Sequence, residues 1–102
     1  MRLFGGFRLM IVGTLRIRLV LRDARSLKDK RHVVKSIKDR LANRFNVSIA
    51  EVDHQDEWQR ATLGVAMVGT DTRFVNSVLS KVIDHLRFAP GAELVDYELE
   101  MF

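Results

Sequence analysis

Six basic residues around position 30 form the densest group of side chains in this sequence that could bind a ligand. They are Arg25, Lys28, Lys30, Arg31, Lys35 and Lys38. Ammonium and guanidinium groups in such number suit phosphate binding, through charge and charge-assisted hydrogen bonds. Residues 22–44 carry nine Lys or Arg against three Asp, whereas residues 71–102 carry three against six Asp or Glu. The sequence is therefore electrically two-sided, with its positive charge concentrated around residue 30.

The spacing of these cations places most of them on one side of a helix. Ser26 and Asp29 have the spacing of a capping box, which predicts a helix start at Leu27. At 100° per residue, four of the cations fall within one arc of about 80°, beside the apolar stripe; they are Lys28, Arg31, Lys35 and Lys38. Lys30 points close to the buried direction, so it must extend past the first turn or find a carboxylate. The alternative interpretation is an ordinary solvated helix face, partly neutralised by neighbouring acidic residues.

A second polar group, residues 53–57, is a weaker candidate for metal binding or catalysis. It combines Asp53, His54, Asp56 and Glu57, but metal binding or acid–base catalysis needs such groups to converge in a shielded pocket. The sequence contains no cysteine and no H-x-x-x-H, G-x-G-x-x-G or phosphate-loop pattern. We therefore expect a solvated hairpin, with no catalytic residue, metal or cofactor. Trp58 beside it is predicted to anchor the loop by packing on the sheet or helix edge, and the less favoured alternative is a platform for a ligand.

Two periodicities indicate the elements that must position these residues. Alternating apolar residues predict strands, and a repeat of three to four residues predicts helices. The predicted order is strand 9–21, helix 27–45, strand 47–53, strand 60–69, helix 72–87 and a last strand from residue 93. Six such amphipathic elements can bury their apolar faces together as two layers. We predict an α+β ferredoxin-like sandwich of β-α-β-β-α-β order. Both helices cover one face of a four-stranded antiparallel sheet whose first and third strands are central.

The other face of the sheet is predicted to be open and free of aromatic side chains. Its two central strands present Thr14, Arg16, Arg18, Thr62, Gly64, Ala66 and Val68. RNA-recognition domains of this architecture stack bases on aromatics there, so that mode of binding is not expected. Arg16 and Arg18 are predicted to pair with Glu98 and Glu100 across the strands. The small side chains also suit a second copy of the chain.

Two segments, "SLKDKR" (26–31) and "AEVDHQDEWQRATLGVA" (50–66), resemble the YlxP-like family of small bacterial proteins. The resemblance extends from about Met10 to the C-terminus. It implies a ferredoxin-like fold, a bacterial origin and a gene neighbourhood of translation and ribosome-maturation factors, near initiation factor two and ribosome-binding factor A. The family carries no established reaction, ligand or catalytic residue, so the resemblance implies none for this chain.

Length and composition are those of one globular domain spanning residues 1–102, with residues 1–8 expected as a loosely ordered extension. Hydrophobic residues make up 47% of the 102 residues. No apolar run approaches a membrane span and no signal peptide is recognisable, so we expect a cytoplasmic protein without membrane contact. The predicted function is non-enzymatic binding of RNA or a ribosomal particle through the basic helix. The alternative is a homo-oligomeric or small-ligand-sensing module that uses the open sheet face or an edge strand.

Overall fold

The structure is a computed structural model that describes residues 10–102, and it contains the six predicted elements in the predicted order. They are β1 (Ile11–Val20), α1 (Leu27–Arg44), β2 (Ser48–Asp53), β3 (Arg60–Gly69), α2 (Thr72–Leu86) and β4 (Glu93–Met101). The expected N-terminal extension lies outside the described residues.

The four strands form one antiparallel sheet in the order β2-β3-β1-β4. β1 lies between β3 and β4, with Leu15 opposite both Val65 and Leu99. Both helices contribute buried residues to a single core on one side of this sheet. The predicted ferredoxin-like sandwich is therefore confirmed.

Alternation along the strands determines which side chains enter the core. In β1, Leu15, Ile17 and Leu19 are buried on the helix side, and β3 buries every second residue from Ala61 to Met67. The helices complete the core with Val34, Ile37, Leu41, Val75, Leu79, Val82, Ile83 and Leu86. These apolar side chains leave water together, which is the main favourable contribution to folding.

β1 and α2 approach closely at Gly13. A Cβ atom at this position would lie 2.5 Å from Cγ1 of Val75 and 2.7 Å from Cδ1 of Leu79. Both distances are below van der Waals contact, so any larger residue would push the helix away from the sheet.

The pairing of each edge strand, β2 and β4, with its neighbour contains one register shift. The pairing of β2 with β3 shifts between Glu51 and Asp53, and that of β4 with β1 shifts opposite Arg18 and Leu19. An extra residue at such a bulge redirects the side chains that follow it. The first shift leads directly into the β2–β3 loop, which contains residues 54–57 of the polar segment.

Candidate functional site

The start of α1 is held by the predicted capping box. The Ser26 Oγ accepts a hydrogen bond from the Asp29 N–H at 3.0 Å, and the Asp29 carboxylate accepts one from the Arg25 N–H at 2.9 Å. These bonds satisfy N–H groups that have no partner within the helix. The acidic residue of the first turn is therefore engaged by the backbone.

Lys30 is the one predicted anion-binding residue that the structure removes from the surface. Its side chain is 0% exposed, and its Nζ donates to the Glu51 carboxylate at 2.8 Å. It also donates to the carbonyl oxygens of His54 at 2.7 Å, Gln55 at 3.2 Å and Arg60 at 3.3 Å. An ammonium group surrounded in this way cannot reach a phosphate, so the assignment of Lys30 to the anion-binding set is wrong. The sequence left two possibilities for Lys30, extension past the first turn or pairing with a carboxylate, and the structure shows the pairing.

Glu51, the partner of Lys30, was not among the residues that the sequence pattern singled out. It faces the helix side of β2, opposite Leu63 of β3, at a position where the alternation calls for an apolar residue. A carboxylate at such a position, together with a lysine near the buried direction of the neighbouring helix, was the available signal. A buried charge needs a partner, and these two residues satisfy that need for each other.

Hydrogen bonds tie the β2–β3 loop, residues 54–59, to the start of α1. Besides the Lys30 bonds, the Gln59 side-chain amide donates to the carbonyl oxygens of Arg22 at 3.0 Å and Ala24 at 3.2 Å. The Gln59 carbonyl accepts from the Leu21 N–H at 2.9 Å. The loop after β1 and the loop after β2 therefore form one polar assembly at the same end of the sheet.

The remaining five predicted residues stay accessible, and three of them line a common groove. Arg25, Lys28, Arg31 and Lys35 are exposed, and Lys38 is partly exposed. A groove of about 600 Å³ lies between α1 and the loops after β1 and α2, lined by Asp23, Ala24, Lys28, Asp29, Arg31, His32, Val33, Lys35 and Gly91. The loop after α2 packs against the helix at Gly91, where a Cβ atom would lie 3.2 Å from Cγ2 of Val33. Its φ of 84° also favours glycine.

These accessible cations have few acidic partners. Lys35 pairs with Asp39 one turn later, at 2.7 Å. Among residues 10–102, no carboxylate oxygen lies within 4.0 Å of the charged groups of Arg25, Lys28, Arg31 or Lys38. We call Arg25, Lys28, Arg31, Lys35 and Lys38 the basic face of α1.

The arginines on the outer face of the sheet are neutralised by neighbours. Arg18 binds Asp96 through two hydrogen bonds, and its guanidinium lies 3.6 Å from Glu98. Hydrogen bonding to Arg18 lowers the pKa of Asp96 from its ordinary 3.8, and Asp96 in turn raises the pKa of Arg18. The predicted Arg18–Glu98 pair is thus present. Arg16 instead pairs with Asp53 of β2, at 3.2 Å, and not with a glutamate of β4.

The polar segment 53–57 is engaged in contacts with itself and with the neighbouring strands. His54 adopts a φ of 60°, and its Nδ1 lies 2.8 Å from the Thr62 Oγ1. Thr62 is consequently 1% exposed, although it was expected on the open surface. The hydrogen bond from the His54 N–H is the main cause that lowers the pKa of Asp53, and the charge of Arg16 adds to it. Hydrogen bonding to Arg60 likewise lowers the pKa of Glu57.

Neither a metal site nor a membrane span is found in the described part of the chain. Residues 10–102 contain no group of three or more His, Asp or Glu arranged to hold a metal ion. No helix among them is both long and apolar enough to cross a membrane. Trp58, which was predicted to anchor the loop, is 53% exposed.

Fold and sequence comparisons together place the chain in a class and then in a family. The designed protein Foldit4 has the same ferredoxin-like architecture, with a TM-score of 0.55 and 15% identity, covering 91% of this chain and 96% of that one. The family described as "Protein of unknown function (DUF503)" matches residues 12–99, and the chain belongs to that family. "Uncharacterized protein YlxP" of Bacillus subtilis (strain 168) is 36% identical over 92 residues, covering 90% of this chain and 100% of that protein.

Proposed function

We propose that this protein binds RNA, free or within a ribosomal particle, through the basic face of α1, and that it acts in the cytoplasm without catalysing a reaction. The observation that carries the proposal is the local excess of unneutralised positive charge. Lys28 and Arg31 line the same groove and lack a carboxylate partner among the described residues. Neutralising phosphates releases counterions, so such a surface gains affinity for nucleic acid without reading its sequence.

The position of these cations on the helix strengthens the argument. Lys28 and Arg31 lie in the first turn and a half of α1, where the partial positive charge of the helix end disfavours cations. Their like charges also repel one another at spacings of three and four residues. A bound phosphate would relieve both penalties, since it attracts the side chains and suits the helix N-terminus. The arrangement costs stability in the free protein and is favourable in a complex with an anion.

The outer face of the sheet does not offer the same function. Arg16 and Arg18 are already paired with Asp53 and Asp96. β1 and β3 place no aromatic residue on this face within their described lengths. Base stacking on the central strands, the mode of RNA-recognition domains, therefore has no platform.

The experiment compares two charge-removing variants. Replacing Lys28, Arg31, Lys35 and Lys38 with Gln should weaken the binding of a single-stranded RNA. It should also reduce the slope of log affinity against log salt by up to about 3, at roughly 0.7 per lost phosphate contact. Replacing Arg16 and Arg18 with Gln is the matched control and should leave the slope unchanged, because those charges are neutralised. The proposal fails if the wild-type protein shows no salt-dependent binding to RNA or ribosomes near physiological ionic strength.

A second candidate function is self-association through the outer face of the sheet. The specific observation is a hollow of about 390 Å³ whose lining includes the small residues Ala50, Gly64 and Ala66, beside the charged Arg16, Glu98 and Glu100. Val52 lies over Gly64, and both Val52 and Val68 are exposed nearby. A second copy could cover this flat surface, and light scattering tests the idea directly. A monomeric mass at high protein concentration would contradict it.

A further inference from the structure

Trp58 is a large aromatic side chain held outside the core on a loop that other residues fix. The residues beside it do the anchoring: Gln59 binds the loop after β1, and the Arg60 carbonyl accepts from Lys30. Within the loop, the Glu57 N–H donates to the His54 carbonyl at 3.1 Å. The backbone on both sides of Trp58 is therefore constrained, while 53% of the residue stays exposed. Polar contacts therefore fix this loop, while about half of Trp58 remains accessible to a ligand.

The loop contacts place Trp58 at the same end of the molecule as the first cations of the basic face. Gln59, the next residue, binds the Ala24 carbonyl, and Ala24 directly precedes Arg25. Trp58 lines a surface hollow of about 500 Å³ with Asp56, Glu57, Gln59 and Arg60. Glu57 is neutralised by two hydrogen bonds from Arg60, at 2.8 and 3.1 Å. Of the three charged residues that line this hollow, Glu57 and Arg60 neutralise one another, and the negative charge of Asp56 is left.

We propose that Trp58 is a stacking platform for an unpaired base of a single-stranded nucleic acid whose phosphates lie on the basic face of α1. This inference rests on the proposed function and names its ligand class. An indole presents a broad π face to any base, and a base can reach it only when it is free of its own duplex stack. Because the loop is fixed beforehand, little ordering is needed on binding. Phosphate contacts then supply charge attraction, and the indole supplies the preference for single strands.

A protein ligand fits this hollow less well. Its lining alternates acidic, basic and amide side chains around one aromatic residue, so it offers no continuous apolar surface. The basic face of α1, whose first residues lie at the same end of the molecule, carries unneutralised positive charge, which suits a polyanion. If Trp58 instead contacts an apolar partner, RNA binding in the following experiment should be insensitive to substitution of Trp58.

The test uses Trp58 as its own reporter, since the chain contains a single tryptophan. The probes are a labelled oligouridylate of about 12 nucleotides, the same length of RNA duplex, and linear polyphosphate. Tryptophan fluorescence and the anisotropy of the labelled RNA are followed together. The variants are Trp58→Ala, Trp58→Phe and, as the matched control, Phe74→Ala. Phe74 is an aromatic residue of similar exposure, 59%, near the start of α2, at the opposite end of the sheet.

Oligouridylate should quench the fluorescence of the wild-type protein, whereas polyphosphate should bind without comparable quenching. Trp58→Ala should raise the Kd for oligouridylate about fivefold or more and leave the salt slope unchanged, because no phosphate contact is lost. Trp58→Phe should retain most of the affinity, and Phe74→Ala should match the wild type. Polyphosphate and duplex binding should not respond to Trp58→Ala.

Failure of the stacking platform is distinguishable from failure of the proposed function. If oligouridylate binds with salt dependence but neither the fluorescence nor the Kd responds at Trp58, the platform is overturned and the basic face survives. If Trp58→Ala weakens polyphosphate and oligouridylate equally, the indole has no role in base contact, which also overturns the platform. If no RNA probe binds, both proposals fall. Chemical denaturation of each variant establishes that the fold is intact.

Discussion

The outer face of the sheet and the exposed side of α1 both carry basic side chains, but their surroundings differ. Arg16 and Arg18 stand beside carboxylates supplied by the edge strands β2 and β4. Lys28 and Arg31 protrude from a helix whose nearest acid, Asp29, is engaged in the capping box. Side chains of equal charge are thus paired with carboxylates in one place and unpaired in the other.

Lys30 is a third kind of basic residue, one that is buried in the interior. It lies two residues from Lys28 and next to Arg31, yet its ammonium is enclosed by Glu51 and three carbonyl oxygens. Neighbouring cations on one helical turn therefore have separate roles, one holding a loop and the others facing solvent. A basic cluster in a sequence is not a surface until the position of every member is known.

The largest expected effect separates the buried lysine from the exposed ones. Lys30→Met should lower the free energy of unfolding by about 3 kcal/mol, because it leaves the part-buried Glu51 charge and three carbonyls without their donor. Lys28→Met is the matched control and should stay within about 0.5 kcal/mol of the wild type. Urea denaturation gives both values. Equal stabilities for the two variants would show that Lys30 does not hold the loop.

An anion should distinguish the two basic surfaces. If phosphate occupies the basic face of α1, it should add about 1.4 kcal/mol to the free energy of unfolding at ten times its Kd. The variant with Gln at Lys28, Arg31, Lys35 and Lys38 should lose this gain, and the variant with Gln at Arg16 and Arg18 should keep it. Thermal denaturation at matched salt separates site binding from general salting-out. The same stabilisation in all three proteins would mean that α1 holds no anion.

The cap of α1 should have a smaller effect on stability. Ser26→Ala should cost about 1 kcal/mol, because the Asp29 N–H loses its acceptor. Ser77→Ala makes the same chemical change at an exposed position within α2 and should be neutral or slightly stabilising. Chemical denaturation measures both. An unchanged stability in Ser26→Ala would indicate that packing, rather than the cap, determines where α1 begins.

The smallest expected effect concerns the pH dependence of the neutralised face. Since the pKa of Asp96 is lowered by Arg18, the pair stabilises the fold above pH 3.8, and that contribution is lost as the pH falls through the folded-state pKa. Arg18→Gln should therefore differ from the wild type at neutral pH and approach it in acid. Urea denaturation across this range tests the trend. A difference that grows on acidification would contradict the ion pair.

The same contrast shows which parts of the site were readable from the sequence. The spacing of Ser26 and Asp29 predicted where the helix begins. Helical geometry predicted that Lys28, Arg31 and Lys35 lie on the same side of it. The partner of Arg16 was not predictable, because it depends on the bulge in β2 that brings Asp53 opposite Thr62. The exposure of Trp58 was not predictable either, because the loop is fixed by polar contacts of Gln59 and Lys30 with residues distant in the chain.

The sequence by itself determined the order of the six elements, their boundaries to within about two residues and the two-layer fold, because strand and helix periodicities are local and the apolar faces they create must meet. Only the tertiary structure decided which cations are neutralised, which one is buried and which aromatic stays outside. Those outcomes depend on contacts between residues distant in the chain, such as Lys30 with Glu51 and Arg18 with Asp96. Their geometry is set by register shifts and loop conformations that no periodicity records.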